Sequence, residues 1–242
     1  MRKAAVVLLF ALLAGGCSDP PPPPAFGDAL ALADAATAAT SSGGSAKFAT
    51  DVAVGSVRSK SQGQFGAGGA SQVMTTDFIG EPMEVRLVGG KLYAKVPEGA
   101  GDKPWVVVTE GSDPFSQVLG GSLAQLTAQN DPAHTLGEIR TAGTIVSAER
   151  TDLGGVAAEH YRVELDLARL GTDLPAGLPP DSVGRLGGKF PVQLWLDDAH
   201  RPLQIVLDLS PILQGAEARI TTRYSEWGAP VDVQPPPPGE VG

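Results

Sequence analysis

The chain has 242 residues and a formal net charge of −9, with 27 acidic residues against 18 lysines and arginines. This dispersed negative charge argues against nucleic acid as a partner and against a polybasic hold on anionic lipid. Aromatic residues make up 5% of the chain, whereas glycine (31) and proline (21) are frequent. Such a composition favours a β-rich fold with many turns over a helical bundle.

The first 16 residues have the pattern of a lipoprotein signal peptide. A basic start, Met1-Arg2-Lys3, precedes an apolar run from Ala4 to Ala14. As a helix, that run would be about 16 Å long, too short for a hydrocarbon core of about 30 Å. Small residues then lead to Cys17. This pattern resembles a bacterial lipobox, although Ala14 stands where a larger aliphatic residue is usual.

Cys17 is therefore predicted to be lipidated. It is the single cysteine of the chain, whereas a secreted protein that used disulfides would show an even number. A thioether-linked diacylglycerol with an N-linked acyl chain such as palmitate would hold the protein on the outer surface of the cell membrane. Removal of Arg2 and Lys3 with the leader leaves a net charge of −11. The alternative is a plain secretory signal in which the cysteine is incidental.

Two proline runs bracket the predicted domain. Pro20–Pro24 favour polyproline II, so residues 17–25 are predicted to form a lipidated, semi-rigid tether. Pro235–Pro238 lie near the C-terminus, and residues 234–242 are predicted to be a disordered tail. Residues 26–233 are predicted to form a single domain between them.

The first half of this domain is predicted to be one helix followed by a meander of strands. The helix spans Gly27–Thr40, with Asp28 as its N-cap. Alternation of apolar and polar residues predicts the strands, and Gly89-Gly90 predicts a two-residue hairpin turn between two of them. The predicted strands are Ala46–Val54, Val57–Phe65, Gln72–Ile79, Met83–Val88, Leu92–Val96 and Trp105–Val108.

The second half begins with helices and returns to strands. One helix is predicted over Pro114–Gln129 and a shorter one over Pro132–Arg140, with Asp113 and Asp131 as N-caps. The segment Asp166–Gly188 is irregular and is predicted to be a loop over the sheet, a candidate lid. The predicted strands are Thr144–Arg150, Val156–Leu165, Val192–Asp197, Leu203–Leu209 and Ala216–Tyr224.

These elements predict an α+β fold. About 10–11 neighbouring antiparallel strands with about 3–5 helices fit a single, strongly curved β half-barrel whose helices pack on the concave face. The alternating strand–helix rhythm of a parallel sheet is missing from the sequence, and no repeat of 20–50 residues is visible.

No catalytic residue is predicted. The sequence has neither a Gly-x-Ser-x-Gly elbow nor a glycine pattern for phosphates or dinucleotides. Its three histidines, His134, His160 and His200, form no metal-binding motif, and no second cysteine joins them. Each histidine is interpreted as a surface or turn residue, and no metal or cofactor is expected.

Several segments together resemble one family. They are the lipobox around Cys17, then Leu92–Pro97 with Lys103–Val106, Glu159–Asp166, Pro191–Asp198 with His200–Pro202, and Tyr224–Val231. In this order they are similar to actinobacterial cell-envelope lipoproteins of the LppX/LprA/LprF/LprG type. The resemblance implies a half-barrel like that of the lipoprotein carriers LolA and LolB. It also implies a cavity between sheet and helices that holds the acyl chains of envelope lipids, with no lining residue assigned.

Two functions remain open on the sequence. The first is a monomeric, membrane-anchored lipoprotein that binds acyl lipids or glycolipids and carries or presents them. The second is an accessory or sensor lipoprotein with a filled core that binds an envelope protein. An enzyme is not expected.

Overall fold

The computed structural model describes residues 26–66, 71–78, 81–95, 103–108, 127–171, 188–212 and 216–242. Cys17 and its tether lie outside these residues. So do residues 172–187 of the predicted lid and most of the predicted helix Pro114–Gln129, of which residues 127–129 are described; these residues and Asn130 are helical. In the described ranges, no helix is long and apolar enough to cross a membrane.

Eleven antiparallel strands form one sheet, as the alternating sequence pattern predicts. The strands are β1 (Ser45–Val54), β2 (Val57–Gly66), β3 (Ser71–Phe78), β4 (Glu81–Val88), β5 (Lys91–Lys95), β6 (Trp105–Val108), β7 (Gly143–Leu153), β8 (Val156–Asp166), β9 (Lys189–Leu196), β10 (Pro202–Asp208) and β11 (Ala218–Ser225). Their order is β6-β5-β4-β3-β2-β1-β11-β10-β9-β8-β7. The sheet is therefore two meanders joined by the pairing of β1 with β11, and β6 and β7 are its edges.

Two of the described helices, α1 (Ala29–Gly43) and α2 (Pro132–Ala142), begin within two residues of the predicted starts. The single turn α3 (Leu167–Leu170) lies in the segment predicted to be a loop, and a 3₁₀ turn lies at Pro238–Glu240. The Asp28 carboxylate accepts a hydrogen bond from the Ala31 N–H at 2.8 Å, and Asp131 caps α2 in the same way. Both predicted N-caps are confirmed, because a short acidic side chain satisfies backbone donors that the helix leaves free.

Gly63 on β2 is tightly enclosed by residues of the neighbouring strands β1 and β3. A Cβ added there would lie 2.0 Å from the Val73 carbonyl oxygen and 2.9 Å from the Phe48 ring. Only glycine fits so close an approach, which is the usual reason for a glycine inside a strand. The predicted hairpin at Gly89-Gly90 is also confirmed, since both residues have positive φ (57° and 75°), as its tight turn requires.

The C-terminal half of the sheet contains a filled core. Helices α1 and α2 contact each other and β7, and α2 also contacts β8. The core residues of this half include Leu32, Ala33, Ala36, Leu136, Ile139, Tyr161, Val163, Phe190, Val192, Leu194, Ile205 and Ile220. Most of them are completely buried, and burying a large aliphatic side chain contributes about 1.5–3 kcal/mol.

The C-terminal segment differs from the predicted disordered tail. The Gly242 N–H donates to the Trp105 carbonyl at 2.7 Å, and Val241 pairs with Trp105. The Arg86 guanidinium donates to the Gln234 carbonyl at 3.1 Å and lies 4.6 Å from the centre of the Trp105 ring. Residues 234–242, here called the strap, therefore cover part of the free edge of β6. Their prolines lower the entropic cost of ordering such a segment.

Candidate functional site

The inner face of the sheet is the concave face on which the helices pack, and its two halves differ. In the C-terminal half, Tyr161, Leu194 and Ile205 lie side by side across β8, β9 and β10. None of these three side chains is more than 1% exposed. Because α1 and α2 pack over this half, it is a closed core.

In the N-terminal half, the inner-face residues form three rows that cross the strands. The Gln72 row contains Phe65, Gln72, Leu87, Leu92 and Val108. The Gly63 row contains Phe48, Gly63, Met74, Val85, Ala94 and Val106. The hydroxyl row contains Thr222, Thr50, Ser61, Thr76 and Met83.

The first two rows end in an apolar strip at the edge of the sheet. Leu87, Val106 and Val108 pack against the core but remain partly exposed, whereas Met74 and Val85 further along the rows are 1% exposed. Leu92 lies between Leu87 and Val108 in the register. An aliphatic surface thus runs along the Gly63 row from the partly exposed Val106, at the strand whose edge the strap partly covers, to the buried Met74.

The hydroxyl row contains a hydrogen-bonded centre. Thr50 Oγ1 lies 2.8 Å from Asn130 Oδ1 and 3.0 Å from Thr222 Oγ1. The Asn130 amide donates to Met74 Sδ at 3.2 Å and to Gln72 Oε1 at 3.4 Å. Asn130 is completely buried, so this network satisfies polar groups that burial would otherwise penalise.

The same row continues into two hydroxyls that have no hydrogen-bond partner. Ser61 and Thr76 are 6% and 2% exposed, and they occupy directly paired positions on β2 and β3. Within the described part of the chain, neither oxygen has a hydrogen-bond partner, including the other oxygen of the pair. An unsatisfied buried hydroxyl costs about 1–3 kcal/mol.

The outer face carries a depression of about 490 Å³ around Ala49. Lys47 and Arg223 stand at its rim, but each already has a carboxylate partner at 2.8 Å, Glu226 and Asp51 respectively. Ion pairs this exposed contribute little. The depression is therefore an open surface and not a preorganised anion site.

The titratable groups in the core serve the fold. The Tyr161 hydroxyl donates to Glu159 at 2.5 Å and accepts from the Phe26 N–H at 3.1 Å. Burial, together with the hydrogen bond to Glu159, raises the pKa of Tyr161 well above its usual value. Burial also raises the pKa of Asp131, against the opposing hydrogen bond from Ala133. Because the Phe26 N–H donates to the Tyr161 hydroxyl, Tyr161 fixes the position of the first described residue of the domain.

The three histidines lie on different elements of the fold. His134 is on α2, and His200 is in the β9–β10 turn at φ 62°, as predicted for a turn residue. His160 differs from the prediction, since it is 9% exposed and stacks on Trp195 with ring centroids 4.1 Å apart. Cross-strand pairing buries it. In the described part of the chain, no group of three or more His, Cys, Asp and Glu residues is placed to hold a metal.

These features define an open, eleven-stranded antiparallel half-barrel with helices on its concave face. The structure is similar to the crystal structure of LprF from Mycobacterium bovis, with a TM-score of 0.51 and 18% identity over 86% of this chain and 96% of that one. It is also similar to the Mycobacterium tuberculosis lipoprotein LppX, with a TM-score of 0.55 and 16% identity over 85% of this chain and 98% of that one.

No protein-family model and no curated protein matches the chain. The likeness in fold, which the sequence predicts, is confirmed by these two structures. At this level of identity the similarity concerns the fold, so the function has to be argued from the residues.

Proposed function

We propose that this protein is a lipid-anchored envelope lipoprotein that binds acyl lipids or glycolipids on the inner face of β1–β6 and carries or presents them. The apolar strip of Leu87, Val106 and Val108 is the observation that carries the proposal. At this strip an aliphatic surface of the sheet remains partly exposed. The C-terminal half of the same sheet, in contrast, is covered by helices.

The dimensions of this face suit an acyl chain. Strands lie about 4.8 Å apart, so the four steps from β2 to β6 span about 19 Å. This is somewhat more than one leaflet of a hydrocarbon core that is about 30 Å thick. Valine, leucine and methionine line the rows, and methionine adapts readily to flexible apolar ligands.

Lipidation of Cys17 belongs to the same proposal. The chain enters the domain at Phe26, whose ring packs edge-on to His200 at 5.1 Å between centroids. An extended tether from Cys17 to this point reaches about 28 Å at ~3.1 Å per residue. The domain would therefore work close to the membrane surface. Cys17→Ala should release the protein into the medium or leave the leader uncleaved.

The test compares two neighbouring valines on β6 in the full chain. Val106 belongs to the Gly63 row on the inner face, whereas Val107 lies on the outer face and is paired with Tyr93. Lipid extracted from gently purified wild-type protein and identified by mass spectrometry should be stoichiometric. It should fall at least tenfold in Val106→Asp and persist in Val107→Asp, because a charge is expensive only on the apolar face.

Circular dichroism checks that both variants are folded. If wild-type protein carries no lipid and recovers one stoichiometric protein partner, the accessory function replaces this proposal. Equal lipid retention by the two variants would place the ligand elsewhere.

A further inference from the structure

We propose that Ser61 and Thr76 form a hydrogen-bonding site for the ester carbonyl of an acyl lipid. This inference rests on the proposed function and names the part of the ligand that is recognised. The two hydroxyls lie within the inner face, in neighbouring strands, and have no hydrogen-bond partner among the residues that the structure describes.

The burial of these groups makes the absence of a partner informative. Ser61 and Thr76 are more than nine-tenths buried, and leaving a hydroxyl dry and unbonded is costly. Thr50 and Thr222, the next two members of the row, do have partners. The protein therefore satisfies one end of the hydroxyl row itself and leaves the other end with two free donors.

An ester carbonyl matches those donors. A serine or threonine hydroxyl has one hydrogen to donate, and a carbonyl oxygen has two lone pairs to accept. One carbonyl placed over the two strands can therefore accept from both hydroxyls. The neighbouring Met74 and Met83 are 1% and 3% exposed, and the flexible apolar side chains of these two residues can adapt to the adjoining acyl chain.

The position within the rows also indicates how the ligand lies. Thr76 and Met83 are paired across β3 and β4, beside the Gly63 row that leads to Val106 at the edge. An ester bound at Ser61 and Thr76 would leave its chains on the aliphatic surface of that row. The hydroxyls then discriminate acyl esters from hydrocarbons or ethers of the same length.

The experiment uses the full chain, stripped of lipid and then offered an equimolar mixture of dipalmitoylglycerol and its di-O-hexadecyl ether analogue. The bound ratio is read by native mass spectrometry. Wild-type protein should prefer the ester by roughly three- to tenfold, the value of one hydrogen bond. The double variant Ser61→Ala, Thr76→Val should bind both lipids equally, because its affinity for the ester falls by the same three- to tenfold while its affinity for the ether is unchanged.

Thr75→Val is the matched control, because Thr75 is the exposed neighbour of Thr76 on the same strand, and it should keep the ester preference. If wild-type protein binds both lipids equally, the inference fails and the proposed function stands. The inference also fails, and the proposed function stands, if the double variant still prefers the ester over the ether. If neither lipid binds, the proposed function fails as well.

Thermal unfolding of lipid-free protein supplies a second readout. Removing hydroxyls that have no partner should leave the melting temperature unchanged or raise it. A clear fall would mean that an ordered water or a protein group satisfies them, and would overturn the inference.

Discussion

The two halves of the sheet share a strand pattern but differ in what lies on their inner faces. In β8–β11, Leu194, Ile205 and Tyr161 are buried beneath α1 and α2. In β1–β6, the rows combine aliphatic residues with free hydroxyls and end at a partly exposed edge. One half is thus a finished core. In the other, Met74, Val85 and Ala94 are just as buried, but the rows reach Val106 and Val108, which are partly exposed, although alternation along the strands looks the same in both.

The largest expected effect separates two leucines of identical chemistry. Leu194→Ala removes a completely buried side chain from the closed half and should cost roughly 3–5 kcal/mol of unfolding free energy. Leu92→Ala in lipid-free protein should cost only about 1–2 kcal/mol, since Leu92 is 9% exposed and lies between edge residues.

Urea denaturation with a two-state fit measures both changes. Val57→Ala, at a 64% exposed position, is the control and should stay within about 0.5 kcal/mol of wild type. Equal losses at Leu92 and Leu194 would mean that the N-terminal half is also a filled core.

An intermediate effect is expected from the polar groups of the closed half. Tyr161→Phe removes the donor to buried Glu159 and the acceptor of the Phe26 N–H. It should cost about 1–3 kcal/mol, because the buried Glu159 and the partly buried Phe26 N–H each lose a hydrogen bond. Tyr93→Phe, on the outer face of β5, should change the unfolding free energy by less than about 0.5 kcal/mol.

Thermal and urea unfolding of the two tyrosine variants check this contrast. If Tyr161→Phe has no effect, the stability of the closed half does not depend on its hydrogen-bonded polar groups. The difference between these groups and the unpaired hydroxyls of Ser61 and Thr76 would then not distinguish the two halves.

The smallest effect on stability concerns the two edges. Edge β7 has a bulge near Val146 and charged side chains at Glu149 and Arg150, which are common protections against strand pairing between molecules. Edge β6 is partly covered by the strap. Deleting residues 234–242 should cost about 1 kcal/mol, because few backbone hydrogen bonds are lost, but it should promote self-association through β6.

Light scattering and unfolding of the truncated protein test this expectation. Lys103→Ala is the graded control, since it removes only the 2.8 Å hydrogen bond to the Val241 carbonyl. A truncated protein that remains as monodisperse as wild type would show that the strap is dispensable at this edge.

Most of the elements were predictable because they depend on close neighbours in the chain. Asp28 and Asp131 lie immediately before their helices, and Gly89-Gly90 alone specifies a tight turn. Alternating apolar residues predicted every described strand of the sheet to within a few residues. The burial of His160 was not predictable in this way, because Trp195 is its partner from another strand.

For the candidate site, the sequence predicted the kind of surface but not the residues that form it. The sequence indicated a curved sheet with an aliphatic concave face, but no row of residues. Thr50 and Thr222 are 172 positions apart, and Arg86 and Gln234 are 148 apart. Such contacts follow from the register of the whole sheet, and a shift by one residue would turn each side chain to the other face.

Local chemistry therefore determines the helix caps, the turns, the strands and the predicted anchor at Cys17, since each depends on a few adjacent residues. The tertiary structure decides that the C-terminal half is closed, that the strap covers β6 and that Ser61 meets Thr76 inside the sheet. These features need residues from distant segments to meet, and only the pairing of β1 with β11 brings the two meanders into one concave face.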